Sequence, residues 1–243
     1  MAKAEHQWLT SEVYWMTHVG STQDVMINAA ADFQHGDVVA TDQQTAGRGR
    51  LDRSWDTPPG TAAAMSVMLR PHVATHLLGM MTLVVADGLV RWFRELDLAA
   101  GVKWPNDVLA PDGKKLCGIL AQWIPEQQAV VIGIGTNIDF GQHERLTTAG
   151  ALADYGVVLT PQEFVVAARH RIVAAVDAFV AEPDAKSLES TMSTIGQRVK
   201  ALLPDGNDVT GTAVGLGPTG SLLIQGETIQ EIFAADIVHL RPA

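Results

Sequence analysis

The chain has 243 residues, of which 47% are hydrophobic and 18% are charged, and its formal net charge is −10. This composition supports a sizeable core and excludes a disordered chain. The acidic balance argues against a general DNA- or RNA-binding protein, which needs a basic surface to replace the counterions of the phosphates. Cys117 is the only cysteine, so no intramolecular disulfide can form and a reducing compartment is permitted.

Neither the first 20 residues nor the longest charge-free run suggests export or membrane insertion. Charged residues interrupt the first 20 residues, so we predict no secretory signal. The longest charge-free run, residues 209–226, contains five glycines and is typical of strands and turns rather than of a membrane span. We therefore expect a cytoplasmic protein that does not contact a membrane.

In chain order, the first predicted element is a helix over residues 21–33 with Ser21 as its N-cap. Apolar residues recur at helical spacing between residues 78 and 96 and predict a long helix that packs on a sheet. The strands predicted in this part of the chain are 37–41, 62–70, 102–104, 115–123 and 128–138.

The second half begins with the clearest local signal. Thr160 and Glu163 form a capping box around Pro161 at the first helical position, which predicts a helix over residues 161–180. Beyond residue 193, apolar pairs alternate with glycine and aspartate turns at the spacing of a small barrel. The strands predicted there are 199–203, 210–214, 221–224, 228–233 and 238–241.

Residues 47–55 (GRGRLDRSW) concentrate positive charge in an otherwise acidic protein, with three arginines against one aspartate. We call these residues the arginine loop. Its glycines remove side-chain bulk and let the backbone approach a ligand closely. Backbone N–H groups and guanidinium forks in this pattern suit a bound anion. Such a loop by itself is more often solvated surface, so its interpretation depends on two further segments.

Both segments place polar groups at strand ends. Residues 103–107 (KWPND) end a strand with an amide and a carboxylate that can turn the chain. Lys115 opens the next strand beside a glycine, either as an edge-protecting charge or as an anion contact. The glycines within residues 131–137 (VIGIGTN) indicate that another group lies close to the backbone of this strand. Asn137 at the end of the strand can orient a polar ligand.

Together, the three segments resemble the biotin–protein ligase family in their order and separations, over about residues 8–180. The strands near the C-terminus also resemble that family's small domain. The resemblance implies an α+β fold in which a mixed sheet with helices forms a class II synthetase-like catalytic domain, with a small C-terminal β-barrel after it. The implied domains are residues 1–190 and 191–243.

The resemblance further implies which residues act on biotin. Gln23 stands where an asparagine usually follows the family's Ser-Thr pair. Lys115 matches the lysine that contacts the biotin carboxylate and the α-phosphate, and Arg48 matches the loop that closes over the adenylate. These two are the implied catalytic residues. The implied biotin-binding residues are Ser21, Thr22, Gln23, Gln44, Arg48, Gly49, Arg50 and Lys115.

For the nucleotide, the resemblance implies a magnesium ion that binds with ATP through its phosphates, with no protein ligand assigned. The implied ATP-binding residues are Arg50, Arg53, Trp55, Asn106, Asp107 and Asn137. The implied reaction joins biotin and ATP into biotinyl-5′-AMP. The biotinyl group then passes to a lysine of the biotin carboxyl carrier domain of a biotin-dependent carboxylase.

Other classes of protein fit the sequence less well. Lipoate–protein ligases share the acyl-adenylate chemistry, but the GRGR and KWPND segments favour biotin. The segment before Ser21 is too short for the helix-turn-helix domain of a biotin-responsive repressor, and no P-loop pattern is present. His72 and His76 lack an HExxH context, so we assign them no metal. We expect Cys117 to be a buried apolar filler rather than a nucleophile.

Overall fold

The computed structural model of the chain describes residues 6–50 and 54–239. Within them, the strands before residue 140 are β1 (His6–Thr10), β2 (Val13–Met16), β3 (Val38–Thr41), β4 (Gln44–Arg48), β5 (Ser54–Thr57), β6 (Ala62–Leu69), β7 (Gly101–Lys103), β8 (Asp107–Leu109), β9 (Lys115–Ile124) and β10 (Ala129–Asn137). Eight of them form one mixed sheet in the order β1-β2-β3-β6-β10-β9-β8-β7, and β4 and β5 lie outside it. All described pairings in the eight-stranded sheet are antiparallel except that of β2 with β3.

Helices cover both faces of this sheet. The α-helices are α1 (Thr22–Asn28), α2 (Met81–Glu95) and α3 (Pro161–Ala181), and the 3₁₀ helices are Thr75–Met80, Pro125–Gln127, Leu152–Tyr155 and Ala185–Thr191. The larger core lies between the sheet and α2 with α3, and it includes Val130, Ile132 and Ile134 of β10. A smaller core packs α1 against the other face, where it meets Val131. Because side chains alternate along a strand, Gly133 and Gly135 share that second face.

The predicted strands and helices of the catalytic part are present, with differences at their ends. The capping box of α3 forms as expected, since Thr160 Oγ1 accepts from Glu163 N at 3.2 Å and Glu163 Oε2 accepts from Thr160 N at 2.8 Å. The prediction that α1 reaches residue 33 is wrong. Arg70 donates to the carbonyl oxygens of Ala30 and Phe33, at 3.1 and 3.0 Å, and these carbonyls lie in the turns that follow the helix.

Strands β1, β2 and β8 were not predicted, and the arginine loop proves to be part of a hairpin. Strands β4 and β5 pair antiparallel, with Gly47 opposite Trp55 and Arg48 opposite Ser54. The ends of the loop therefore belong to a two-stranded sheet that is separate from the main sheet. Arg53, an implied ATP contact, lies outside the described residues.

The five strands predicted near the C-terminus form a separate antiparallel sheet in the order β14-β13-β12-β11-β15. They are β11 (Arg198–Leu202), β12 (Asp208–Leu216), β13 (Leu222–Gln225), β14 (Ile229–Ile232) and β15 (Asp236–His239). We call this sheet the C-terminal module. The pairings described for it leave β14 and β15 as its two edges, so the sheet is open there. The closed barrel stays a prediction.

Trp104 joins the two parts of the protein. Its side chain is almost fully buried, and its indole N–H donates to the Gly220 carbonyl oxygen of the C-terminal module at 2.9 Å. Its backbone N–H donates to Thr194 Oγ1 at 3.0 Å, just before that module begins. The KWPND segment is therefore anchored by its tryptophan while its polar residues face elsewhere.

The segment Thr75–Glu95 is long and apolar enough to cross a membrane, judged by length and composition alone. In the fold, 67% of its most apolar window is buried. Its side chains form much of the larger core against the sheet and α3. The segment has the burial expected of a core helix.

We expect Trp104→Phe to lower the free energy of unfolding by about 1–3 kcal/mol, because the Gly220 carbonyl oxygen loses its buried donor. Urea denaturation followed by far-UV circular dichroism measures this change. Trp123→Phe is the matched control, since Trp123 is 38% exposed, and it should change stability by less than about 0.5 kcal/mol. Equal effects of the two substitutions would contradict the anchoring role of Trp104.

Candidate active site

A cavity of about 730 Å³ opens on the face of the main sheet that carries α1. It lies between the N-terminus of α1, the β4–β5 hairpin, the ends of β9 and β10, and the rim of the C-terminal module. All the sequence-predicted site residues that the structure describes line it. They are Ser21, Thr22, Gln23, Gln44, Arg48, Gly49, Arg50, Trp55, Asn106, Asp107, Lys115 and Asn137.

Two glycines form the floor beneath Trp55. Gly118 of β9 pairs directly with Gly135 of β10, so neither strand projects a side chain at this level. The Trp55 indole lies on this bare patch: a Cβ on Gly135 would overlap the ring, and one on Gly118 would lie 2.9 Å from its Cζ3 atom. The absence of both Cβ atoms is what lets an aromatic ring from the hairpin rest against the sheet.

The N-terminus of α1 forms one end of the cavity. Ser21 caps the helix by accepting from Asp24 N at 3.3 Å. Gln44 Oε1 accepts from Thr22 N at 3.0 Å, and Thr22 Oγ1 lies 2.8 Å from Ser66 Oγ on β6. These contacts fix three short polar side chains and the Gln44 amide at one helix N-terminus, where the helix dipole adds partial positive charge.

Unpartnered polar atoms concentrate in this cavity. Among the described residues, four buried side-chain nitrogen or oxygen atoms have no hydrogen-bond partner, and three belong to cavity residues: Gln23 Nε2, Trp55 Nε1 and Asp107 Oδ1. Leaving such a group unmatched costs about 1–3 kcal/mol. The Gln23 and Trp55 nitrogens are therefore two donors that polar groups of a guest molecule can satisfy, whereas Asp107 Oδ1 faces the ammonium group of Lys115.

Lys115 and Asp107 form the charged centre of the cavity. Lys115 Nζ lies 2.7 Å from Asp107 Oδ1, so the two side chains form an ion pair. The same ammonium group lies 5.5 Å from the centre of the Trp55 ring, within the range of a cation–π contact. The lysine thus contacts both the KWPND turn and the hairpin.

The two arginines of the arginine loop that the structure describes, Arg48 and Arg50, point in opposite directions. Arg48 forms an ion pair with Asp24 in the first turn of α1. Arg50 Nη1 instead donates to Asn106 Oδ1 at 3.2 Å, and its two terminal nitrogens contact the Ala235 carbonyl oxygen of the C-terminal module. The loop is held from two sides of the cavity.

Asn106 and Asn137 are tied to the backbone by their amide nitrogens. Asn106 Nδ2 donates to the Ile119 carbonyl oxygen at 2.9 Å. Asn137 Nδ2 donates to the carbonyl oxygens of Lys115 and Gly150, at 3.1 and 2.9 Å. Both residues thereby hold the strand ends together, and the amide oxygen of Asn106 accepts from Arg50.

Sequence reasoning missed two parts of the wall. One is the loop after β10, whose Arg145 lies over the Phe140 ring at 5.3 Å and pairs with Asp154. Its position after the GxGxN segment was the only available signal. The other is Asp236 of the C-terminal module, which no local pattern indicated. The lining residues not predicted from sequence include Phe140, Glu144, Arg145, Leu146, Thr148, Ala149 and Asp236.

Positive charge exceeds negative charge in the cavity lining, although the whole chain is acidic. The basic residues are Arg48, Arg50, Lys115 and Arg145, and the acidic ones are Asp107, Glu144 and Asp236. Within the described part of the chain, no three His, Cys, Asp or Glu side chains cluster as a metal site would require. The cavity therefore suits an anionic ligand, and a metal there would depend on ligands from the guest.

Cys117 lies behind the cavity in the core. Burial raises the pKa of its thiol to about 12, and Thr136 Oγ1 contacts its sulfur at 3.2 Å. A thiol with so high a pKa stays protonated at neutral pH, so it is a poor nucleophile. The expectation that Cys117 fills the core agrees with its complete burial.

Comparison with known proteins agrees with this geometry. Residues 18–139 match the biotin/lipoate A/B protein ligase family, and residues 194–240 match the biotin protein ligase C terminal domain. The biotin–[acetyl-CoA-carboxylase] ligase of Mycobacterium tuberculosis is 34% identical over 93% of this chain and 88% of its own length. The enzyme of the same name from Paracoccus denitrificans is 30% identical over 79% of this chain and 85% of its own length.

A solved structure of biotin protein ligase from Aquifex aeolicus in complex with biotin and ATP superposes with a TM-score of 0.81 at 28% identity. It covers 96% of this chain and 100% of that one. The fold and the cavity define an α+β ligase-type protein with a C-terminal module. The chain belongs to the biotin protein ligase family.

Because Cys117 is the only cysteine, a thiol reagent reports on it alone. We expect the native thiol to react at least about 100-fold more slowly at pH 8 than the thiol of the urea-unfolded chain. Reaction with dithionitrobenzoate, followed by absorbance, measures both rates.

The pKa of Cys117 also predicts a pH dependence of stability. The folded-state pKa is raised from 9.0 to about 12, so the stabilisation is present below pH 9 and is lost as pH rises towards 12. Between pH 8 and 10, the unfolding free energy of the parent should fall about 1 kcal/mol more than that of Cys117→Ala. Parallel curves, or fast labelling of the native thiol, would contradict this assignment.

Proposed function

We propose that this protein is an ATP-dependent ligase that forms biotinyl-5′-AMP and then transfers biotin to a lysine of a biotin carboxyl carrier domain. The observation that carries the proposal is the charged centre at Lys115, enclosed by the arginine loop and the α1 N-terminus in one cavity. Membership of the biotin protein ligase family supports the choice of acid.

The first step joins two anions, because the biotin carboxylate must attack the α-phosphorus of ATP and release pyrophosphate. The site has to neutralise charge and hold the reactants in line. We propose that Lys115 binds the carboxylate and the α-phosphate together, and its contacts with Asp107 and Trp55, which hold its ammonium group in the cavity, support this role. No covalent enzyme intermediate is needed, which agrees with the burial of the only thiol.

We assign the head group of biotin to the end of the cavity at α1. This end combines the polar side chains of Ser21 and Thr22 with the Gln44 amide and the unpartnered Gln23 Nε2 donor. A ureido ring offers one carbonyl acceptor and two N–H donors, so it matches a mixed set of donors and acceptors. The other proposed biotin contacts are Arg48, Gly49, Arg50 and Lys115.

We assign ATP to the side of the cavity formed by the arginine loop, the KWPND turn and the end of β10. The proposed contacts there are Arg50, Arg53, Trp55, Asn106, Asp107 and Asn137. Magnesium would accompany the phosphates, and Asp107 fits such an ion because its carboxylate lines the cavity beside the proposed ATP contacts. One carboxylate with substrate phosphates is a usual coordination for Mg²⁺, whose role is to neutralise phosphate charge.

The product is a mixed anhydride that water hydrolyses, so it must be covered until the acceptor lysine arrives. The hairpin that bears the arginine loop lies outside the main sheet and reaches over the cavity. The Arg48–Asp24 ion pair connects this cover to α1. We propose that Arg48 helps to retain the adenylate in this way.

We propose that the chain consists of two domains. We propose a catalytic domain over residues 1–190 and a C-terminal barrel domain over residues 191–243, and the two family matches, which leave residues 140–193 between them, support this division. We also propose a cytoplasmic location, which suits a protein whose only cysteine is an unpaired thiol.

Exchange of radiolabelled pyrophosphate into ATP, measured with biotin or with lipoate as the added substrate, tests the proposed function. Biotin should support exchange, and lipoate should support less than about one-hundredth of it, because the polar groups at the α1 end would be left without partners. Transfer of biotin to a purified biotin carboxyl carrier domain, followed by streptavidin blotting, tests the second step. Exchange with lipoate but not with biotin would overturn the choice of substrate.

We expect Lys115→Ala to lower the rate of adenylate formation at least about 100-fold, because the charge-assisted contact with both reactants is removed. The neighbouring Lys114→Ala is the matched control. Lys114 pairs with Asp112 at 3.1 Å and does not line the cavity, so its loss should change the rate by less than about twofold. Single-turnover release of pyrophosphate measures both, and equal losses would show that Lys115 has no special role.

A further inference from the structure

The C-terminal module contributes a charged residue to the cavity wall, and this residue contacts the arginine loop. Ala235, whose carbonyl oxygen Arg50 contacts, lies 185 residues after Arg50 along the chain, and Asp236 follows it as the first residue of β15. Arg50 Nη1 lies 3.7 Å from Asp236 Oδ1. The carboxylate also lines the cavity.

The contacts of Arg50 form a junction of three segments. Its guanidinium bonds Asn106 Oδ1 at 3.2 Å, and Asn106 is fixed in turn by two backbone contacts with Ile119 at 2.9 Å. On the other side, it donates to the Ala235 carbonyl oxygen at 3.3–3.4 Å. The arginine loop, the KWPND turn and the C-terminal module therefore meet at one side chain.

The ion pair of Arg50 with Asp236 is partly shielded from solvent. The side chains of Arg50 and Asp236 are 26% and 24% exposed, whereas the ion pair of Arg48 with Asp24 is about half exposed on both sides. Less solvent means less screening, so the charge of Asp236 acts on Arg50 more strongly than a surface charge would. A planar guanidinium that donates to an amide oxygen and a carbonyl oxygen and also forms an ion pair with a carboxylate has little freedom to leave.

We propose that Asp236 is a positioning residue that holds the arginine loop over the cavity through Arg50, so that the C-terminal module controls how long the adenylate is retained. This inference rests on the proposed function, because the retained molecule is the acyl-adenylate formed there. The group that would touch the adenylate is Arg50. Asp236 acts only by keeping that arginine and its loop in place.

The test compares three substitutions in the full-length chain. Asp236→Asn removes the charge at nearly constant size, and Asp236→Glu restores it. Asp208→Asn is the control within the same module, because Asp208 pairs with Lys200 at 3.2 Å and does not line the cavity. Thermal midpoints of the three variants establish whether the fold is kept.

Release of the adenylate is the first readout. The enzyme is loaded with tritiated biotin, ATP and magnesium in the presence of pyrophosphatase, and gel filtration then removes the free small molecules. Rapid filtration measures how much tritium stays bound to the protein over time. We expect release from Asp236→Asn to be about fivefold faster than from the parent. Asp236→Glu and Asp208→Asn should stay within about twofold of the parent. Release at the parental rate from Asp236→Asn, or equally fast release from Asp236→Glu, would overturn the proposal.

Tryptic cleavage after Arg48 and Arg50 in the ligand-free protein is the second readout, and it does not depend on any reaction. Asp236→Asn should be cut there several-fold faster than the parent, while Asp208→Asn should not. Unchanged cleavage would overturn the anchoring role. If the parent formed no adenylate but cleavage still responded to Asp236, the proposed function would fail and the anchor would stand.

Discussion

The site depends on one constraint in the main sheet, which is the direct pairing of Gly118 with Gly135 across β9 and β10. Any larger residue at either position would project a side chain into the space that the Trp55 ring occupies. Since that ring reaches the sheet, the hairpin that carries it lies low over the cavity, and Lys115 comes within cation–π distance of the ring. The bare stretch of sheet therefore determines both the depth of the cavity and the height of its cover.

The cover is attached by backbone hydrogen bonds at its base and by charged contacts of its arginines. Strands β4 and β5 pair with each other outside the main sheet, and the backbone nitrogens of Thr45 and Ala46 donate to the carbonyl oxygens of Val19 and Gly20. Arg48 and Arg50 connect the hairpin to α1 and to the C-terminal module. Ion pairs and charge-assisted hydrogen bonds of partly exposed groups are individually weak, so they can break and re-form as ligands enter and leave. A cover held in this way suits a site that must admit two substrates and then protect a reactive product.

The C-terminal module is joined to the catalytic part by two kinds of contact. Trp104 fixes it through buried packing and a hydrogen bond to Gly220, which gives permanent attachment. Arg50 reaches it through a carbonyl and a carboxylate at the cavity rim. Because the KWPND segment carries Trp104 and Asn106 two residues apart, the attachment of the module and the position of Arg50 are coupled within one turn.

The sequence by itself determined the local chemistry: the cap of α3, most of the strands, and the close approach to the strand at Gly135, whereas Lys115 was assigned to the site by the family resemblance of its segment. These signals are short-range, because they depend on capping, alternation and glycine content within a few residues. The early end of α1, the hairpin form of the arginine loop, the open edges of the C-terminal sheet and the place of Asp236 were decided only by the tertiary structure. Each depends on partners that lie far apart along the chain, such as Arg70 with the carbonyls after α1 and Arg50 with Ala235 and Asp236, and no local pattern encodes which distant groups the fold brings together.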